Sequence, residues 1–109
     1  MEHVARLFIK NGAKDKFEER LLDIGTDGRY KAYSYSPNVL MFDRTDGYSV
    51  YLCRDDRIGC YYVKCLPQEG EELNDSTAMA MIHDFDMNYI QRYNELYNAN
   101  VYIDIQKEE

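Results

Sequence analysis

The chain has 109 residues, 45% of them hydrophobic, and a formal net charge of −7 at pH 7. This length allows one hydrophobic core and is too short for two, so we predict a single domain over residues 1–109. The apolar content excludes the class of disordered chains that combine low hydrophobicity with high charge. A chain this acidic repels phosphate, so we expect neither direct nucleic-acid binding nor binding to an anionic membrane surface.

The acidic charge is concentrated in the second part of the chain. Residues 1–66 contain 11 Lys or Arg and 10 Asp or Glu, whereas residues 67–109 contain 2 and 10. A surface with this excess of carboxylates is complementary to a cationic one. The asymmetry therefore favours a protein partner with a basic surface.

No segment predicts a membrane span or a secretory signal. The chain lacks an apolar run of the roughly 18 residues that a spanning helix needs. Its first residues lack the basic and then apolar pattern of a signal peptide. We therefore expect a cytoplasmic protein. Its three cysteines, Cys53, Cys60 and Cys65, should be reduced thiols and not part of a disulfide framework.

The first part of the chain predicts a strand and then a helix. Residues 4–10 are rich in strand-forming side chains and precede a turn pair, Asn11-Gly12. Apolar residues at helical spacing follow, and Gly25 occupies the position expected of a glycine after a helix. This pattern predicts a helix over residues 14–24, with an apolar face formed by Phe17, Leu21 and Ile24.

The middle of the chain predicts an antiparallel meander. Turn-forming residues such as Asp46-Gly47 separate its strand-like segments. The connections are too short for the crossover that parallel neighbours require, so consecutive strands should pair antiparallel. The predicted strands are residues 30–35, 39–42, 48–53 and 58–66.

A second helical region follows the polar segment after Pro67. Asp86 falls on its apolar stripe and has two interpretations. It is a buried carboxylate on a continuous helix, or the helix breaks and Asp86 caps a second helix that begins at Met87. We favour the break, because capping satisfies the acid without burying it. The N-cap candidates are Asp75, Ser76 and Thr77, and the stripe is Ala78, Ile82, Phe85, Tyr89, Tyr93 and Leu96.

A final strand is predicted at residues 101–105, where apolar residues alternate. The element order is then β-α-β-β-β-β-α-β. We predict an α+β domain with one mainly antiparallel sheet of about five strands and two or three helices on one face.

Catalytic, metal and cofactor motifs are absent from the sequence. The spacing C-x6-C-x4-C lacks the close cysteine pair of structural zinc sites, and no glycine-rich phosphate loop occurs. His83, Asp84 and Asp86 could ligate a metal or supply an acid and a base, but a helix brings at most two of them together. We therefore predict no catalytic site, no metal site and no cofactor.

Tyrosines and acids are the candidate binding residues. The chain has eleven tyrosines and no tryptophan. Strand propensity and a solvated surface are the alternative explanations for the two groups. An exposed tyrosine stripe beside carboxylates would nevertheless suit a partner-binding surface. On a continuous helix, Asp84, Asn88, Gln91 and Glu95 would also form one polar stripe. The predicted partner-binding residues are Glu69, Glu71, Glu72, Asp75, Asp84, Glu95, Tyr33, Tyr35 and Tyr51, and Asp104 belongs to the same acidic set.

In size and composition the chain resembles the small acidic inhibitors that phages and mobile elements encode, including anti-CRISPR and anti-restriction proteins. The resemblance is one of composition and implies no residue roles. It implies a viral-type inhibitor that imitates nucleic acid and occludes the basic, nucleic-acid-binding groove of a partner enzyme. An immunity protein that neutralises a basic toxin nuclease would use the same electrostatics.

Two other functional hypotheses remain open. One is a small enzyme or ligand-binding domain with a pocket between sheet and helices, using His83, Asp86 or a tyrosine hydroxyl. The other, compatible with all of these, is a homodimer formed through an exposed edge strand such as residues 101–105.

Overall fold

The computed structural model describes residues 4–10, 16–24, 30–55, 60–67 and 72–105. The strands are β1 (Val4–Lys10), β2 (Tyr30–Ser36), β3 (Val39–Arg44), β4 (Ser49–Asp55), β5 (Cys60–Leu66) and β6 (Asn100–Ile105). The helices are α1 (Phe17–Asp23), α2 (Asp75–Phe85) and α3 (Gln91–Tyr97), and a π-helical turn, Asp86–Ile90, joins α2 to α3. The predicted element order and the α+β class are confirmed.

One sheet contains the six described strands in the order β2-β3-β4-β5-β1-β6. Every pairing between neighbours is antiparallel. The predicted meander is present as β2 to β5, and β1 then lies between β5 and β6. The sheet therefore has six strands where about five were expected.

The helices cover one face of the sheet, as predicted. Phe42 on β3 contacts both Phe85 and Tyr89, with ring centroids 4.8 Å apart in each case. Phe17 on α1 contacts Tyr61 on β5 at 5.4 Å, which places α1 on the same face. The largest fully buried side chains lie between the two layers: Tyr89, Tyr93, Phe17, Phe42, Phe85, Leu7, Leu21 and Leu52.

The helix predicted over residues 14–24 is present as α1, with Ile24 as its C-terminal cap. Glu18 joins it to the sheet, because it accepts hydrogen bonds from Tyr61 at 2.7 Å and from Arg54 at 3.2 Å. Several predicted features lie outside the described residues: Asn11-Gly12, Gly25, and residues 14, 15, 58 and 59.

The second helical region does not break at Asp86, so the favoured interpretation was wrong. Asp86 has helical backbone angles, φ −57° and ψ −49°. The backbone N–H of Gln91 donates to the carbonyl of Asp86, five residues earlier, which is the bonding of a π-helical turn. The wider turn accommodates one extra residue, so the helical backbone continues from α2 into α3.

One residue of α3 departs from the predicted apolar stripe. Leu96 is 58% exposed, so this part of the prediction was wrong, whereas Tyr93 is fully buried as predicted. Tyr97 is exposed and packs against Tyr93, with ring centroids 4.9 Å apart, and its ring lies 4.9 Å from the guanidinium carbon of Arg20.

The end of α3 sets the position of the last strand. Asn98 adopts the left-handed conformation, φ 50°, that commonly ends helices. The side-chain amide of Asn94 then donates to the carbonyl of Val101 and accepts from its N–H, both at 2.9 Å. This pair of hydrogen bonds fixes the start of β6 against the helix.

Candidate partner-binding surfaces

The predicted binding residues lie on two different sides of the domain. Tyr33 and Tyr51 belong to a cross-strand row with Met41, on the sheet face that the helices do not cover. The predicted acids of the helical region belong to the opposite layer or the segment leading to it: Glu72, Asp75, Asp84 and Glu95. Glu69 and Glu71 lie outside the described residues. The tyrosines and these acids therefore do not form one continuous surface.

We call the uncovered side of the sheet the open face. Tyr35, at a bulge in the edge strand β2, is 66% exposed and lies beside Tyr33. Phe8 stacks on Tyr102, with ring centroids 5.4 Å apart. Tyrosine, phenylalanine, methionine and arginine are the residues that protein interfaces favour. The aromatic and apolar side chains of the open face include Phe8, Tyr33, Tyr35, Met41, Tyr51 and Tyr62.

The charges of the open face are nearly balanced, unlike those of the chain as a whole. The guanidinium carbon of Arg6 lies 5.7 Å from the ring centroid of Tyr62, and its Nε atom is buried without a hydrogen-bond partner among the described residues. The Lys31 ammonium lies 5.9 Å from the Tyr33 ring. Among the side chains that the structure describes, cross-strand pairing places three cations and two acids on this face: Arg6, Lys31, Lys64, Asp43 and Asp104.

Tyr33 is oriented by a carboxylate neighbour. Its hydroxyl donates to Asp43 at 2.9 Å, and Ser49 donates to the other oxygen of the same carboxylate at 2.8 Å. The hydrogen bond to Asp43, then burial and the nearby charges of Asp43 and Tyr35, raise the pKa of Tyr33 above its ordinary value. Tyr33 is therefore neutral at physiological pH, with its hydroxyl directed along the sheet.

Between α2 and the β3–β4 turn lies a groove of about 460 Å³, which we call the acidic groove. Asp46 enters it from the turn and Asp84 from the helix, on either side of the Arg44 guanidinium. Asp75, the first residue of α2, precedes the lining residues of that helix. The groove is lined by Arg44, Asp46, Tyr48, Ser76, Thr77, Ala80, Met81 and Asp84.

Three neighbours fix the carboxylate of Asp84. The hydroxyl of Tyr30 donates a short hydrogen bond to Oδ2. The side-chain amide of Asn88 donates to Oδ1 at 3.1 Å and to the Asp84 main-chain carbonyl at 2.8 Å. The Nη1 atom of Arg44 lies 3.6 Å from Oδ2. The orientation of this carboxylate is therefore set within the chain itself.

Arg44 joins the two acids of the groove. Its Nη2 atom lies 2.8 Å from Oδ2 of Asp46, whose other oxygen accepts from the backbone N–H of Tyr48 at 3.2 Å. Partial burial by itself lowers the pKa of Arg44, but Tyr30, Asp46 and Asp84 outweigh it and raise the pKa above its ordinary value. The guanidinium therefore stays charged, and the groove contains two carboxylates and one cation.

Cys65 is unsuited to nucleophilic chemistry. Its thiol is buried and donates to the carbonyl of Ala78 at 3.7 Å. Burial raises the pKa of Cys65 to about 12, and nearby Arg44 offsets this only in part. Because the thiolate is the reactive form, a thiol that is protonated at neutral pH is unreactive. Cys53 is half-buried and faces the other side of the sheet.

His83 and Asp86 do not line the groove. His83 is exposed, and Asp86 accepts from the side-chain amide of Gln91 at 3.4 Å. Within the predicted polar stripe, Asp84 and Asn88 bond to each other. The described residues contain no group of three or more His, Cys, Asp or Glu side chains that could hold a metal ion.

Most residues of the acidic groove were not predicted as site residues. The sequence indicates only a turn at Asp46 and a helix cap near Thr77. Arg44, Tyr48 and Ser76 carry no recognisable signal of their own, because the groove forms where a turn packs against a helix far away in sequence. The hypothesis of a ligand-binding pocket named His83, Asp86 or a tyrosine hydroxyl, and of these only a tyrosine, Tyr48, lines the groove.

Among the described residues, no helix combines the length and apolar composition needed to cross a membrane. Comparison of the chain with protein-family models, curated proteins and solved structures found no match in any of the three. What the protein binds must therefore be inferred from the acidic groove and the open face themselves.

Proposed function

We propose that this protein is a small protein-binding module, not an enzyme, and that its acidic groove binds a basic surface of the partner. Charge carries the proposal: Asp46 and Asp84 line the groove with one guanidinium, that of Arg44. Asp75 at the start of α2 and the exposed Glu72 before it add acids on the same side. In a chain of net charge −7, such a concave surface attracts cationic side chains and repels anionic ones.

Asp84 suits this role because its carboxylate is already oriented. The hydrogen bonds from Tyr30 and Asn88 hold it in place, so binding a cation requires little further ordering. Its side chain is 31% exposed, so part of the carboxylate can be reached by an ammonium or a guanidinium. Ala80 and Tyr48 supply apolar surface against which the stem of a lysine or arginine can pack.

A partner that uses basic residues to hold nucleic acid would be inhibited by such a contact. Lysines and arginines engaged by the acidic groove are unavailable to phosphates, and the acidic chain repels an approaching nucleic acid. Occlusion of a basic, nucleic-acid-handling enzyme in the cytoplasm is the action of the small acidic inhibitors that the chain resembles in composition. The same electrostatics would serve an immunity protein that neutralises a basic nuclease.

Affinity purification from nuclease-treated extract tests whether a basic partner exists. The salt concentration is about 0.15 M and then about 1 M, because the Debye length falls from about 8 Å to about 3 Å over this range. We expect a basic nucleic-acid-handling protein to be retained at the lower salt and released at the higher. Recovery of no specific protein at either salt would contradict the proposal.

A pair of double variants tests whether the acidic groove makes the contact. Asp46→Asn with Asp84→Asn removes two carboxylates from the groove, whereas Asp43→Asn with Asp104→Asn removes two from the open face. Both change the net charge equally, so only a contact at the groove distinguishes them. We expect the first variant to lose the partner and the second to retain it, with thermal unfolding confirming that both are folded. The reverse result would show that the groove is not the binding surface.

A small cationic ligand in the same groove is the second candidate. The groove is concave, and hydroxyl groups of Tyr48, Ser76 and Thr77 accompany its carboxylates, as in many ligand sites. Titration of the isolated protein with N-acetylarginine amide and with N-acetylcitrulline amide, which is neutral, separates this candidate from the first. Amide shifts at Asp46 and Asp84 with the cationic compound at low concentration, and no protein partner in extract, would favour the small ligand.

A further inference from the structure

We propose that the open face is a self-association surface through which two copies of this chain form a symmetric dimer. This inference goes beyond the proposed function, because the open face is on the opposite side of the sheet from the acidic groove. No described helix packs on this face, and Tyr33, Met41, Tyr51 and Tyr62 are all partly exposed there. Tyrosine and methionine side chains gathered on one face are a composition that protein interfaces favour.

Charge selects a second copy as the occupant of the open face. Each chain carries a net charge of −7, so two copies repel each other in most orientations. The open face, whose described side chains include three cations and two acids, is the exception to this acidic character. Two copies that meet through their open faces keep their acidic helical layers on the outside, as far apart as the assembly permits.

The strand order allows a two-fold arrangement in which the central side chains are complementary. The middle of the sheet lies between β4 and β5. A two-fold axis that runs along the strands at this point, between the two faces, sets β4 of one copy over β5 of the other. Tyr51 and Lys64 are in the same cross-strand row, so Tyr51 of each copy meets Lys64 of the second copy. A tyrosine facing an ammonium is a favourable contact.

The neighbouring strands are complementary under the same axis, which sets β3 over β1. Val39 and Arg6 share the row that runs through Cys53 and Tyr62. Val39 of one copy therefore meets Arg6 of the second copy. The two cations nearest the centre, Lys64 and Arg6, then face Tyr51 and Val39 and meet no like charge. Two sheets that pack face to face are rotated by about −30° relative to each other. This rotation moves side chains at the centre of the sheets less than those at the edges, so the central contacts are the least displaced.

Sedimentation equilibrium of two charge-matched variants tests the proposal. Tyr51→Glu adds one negative charge to the open face, and Met87→Glu adds one to the helical layer, where Met87 is 56% exposed. We expect wild type and Met87→Glu to dimerise between about 10 μM and about 500 μM, and Tyr51→Glu to dimerise at least about tenfold more weakly. A monomeric wild type over this range, or a dimer that Tyr51→Glu leaves unchanged, would overturn the proposal.

The sign of a charge at Val39 tests the two-fold arrangement. Val39→Glu would meet Arg6 of the second copy as an opposite charge, and Val39→Lys would meet it as a like charge. We expect the glutamate variant to dimerise more tightly than the lysine variant, although it makes each chain more acidic. The opposite order, which follows if only net charge matters, would contradict this arrangement. Because partner capture does not use these residues, failure of either proposal leaves the other standing.

Discussion

The two faces of the sheet are built from the same strands and differ in nearly every property. On β3, Phe42 is fully buried and contacts Phe85 and Tyr89, whereas its neighbours Met41 and Asp43 are partly exposed on the other side. Successive side chains of a strand point to opposite faces, so one residue step separates the hydrophobic core from a partly exposed surface. The covered face holds the domain together, and the open face stays partly exposed to solvent.

The largest difference in the free energy of unfolding is expected between variants at two adjacent residues of β3. Phe42→Ala leaves a cavity against Phe85 and Tyr89, and we expect it to lower the free energy of unfolding by about 3–5 kcal/mol. Met41→Ala, one position away on the open face, should cost about 1 kcal/mol or less. Urea unfolding of both variants at low protein concentration measures the difference. Equal costs would show that the open face is packed in the monomer as well.

Removal of one carboxylate from each side of the sheet should give a smaller difference in the free energy of unfolding. Asp84→Ala removes the carboxylate that accepts from Tyr30 and Asn88 and that forms an ion pair with Arg44, and we expect a loss of about 1–2 kcal/mol. Asp104→Ala, on the exposed edge strand β6, should stay within about 0.5 kcal/mol of wild type. Thermal and urea unfolding compare the two. If Asp84→Ala leaves the free energy of unfolding unchanged, the hydrogen bonds of this carboxylate only replace equivalent ones to water.

Cys65 on the covered face should make stability fall at alkaline pH. The unfolded thiol ionises near 9.0, while the buried one holds its proton until about 12. Below the unfolded pKa both states are protonated, so pH has no effect. Above it the unfolded state loses its proton first, so stability decreases as pH rises, by up to about 1.4 kcal/mol per unit.

Urea unfolding at about pH 8 and about pH 10 measures this slope. Cys65→Ala should reduce the decrease in stability between the two pH values relative to wild type. Cys53→Ala, which removes a half-buried thiol from the open face, controls for the loss of a cysteine. If Cys65→Ala keeps the wild-type slope, the buried thiol does not hold its proton as its surroundings imply.

The candidate surfaces were only partly predictable. Alternation along a strand indicates from the sequence that Tyr33 and Tyr35 share a side. In the structure, Tyr51 lies in the same cross-strand row as Tyr33 on the open face. The acidic groove was beyond sequence reasoning. Asp46 and Asp84 are brought together by the packing of a turn against a helix, and no periodic pattern encodes such a contact.

Local patterns in the sequence determined the elements of this fold, their order and their antiparallel meander. Alternation, helical spacing and turn residues act over a few positions, where the backbone itself links the pattern to the conformation. The placement of β1 between β5 and β6, and the π-helical turn at Asp86–Ile90, were decided by the tertiary structure. Both depend on which surfaces bury the most apolar area together, and that comparison involves segments far apart in the chain.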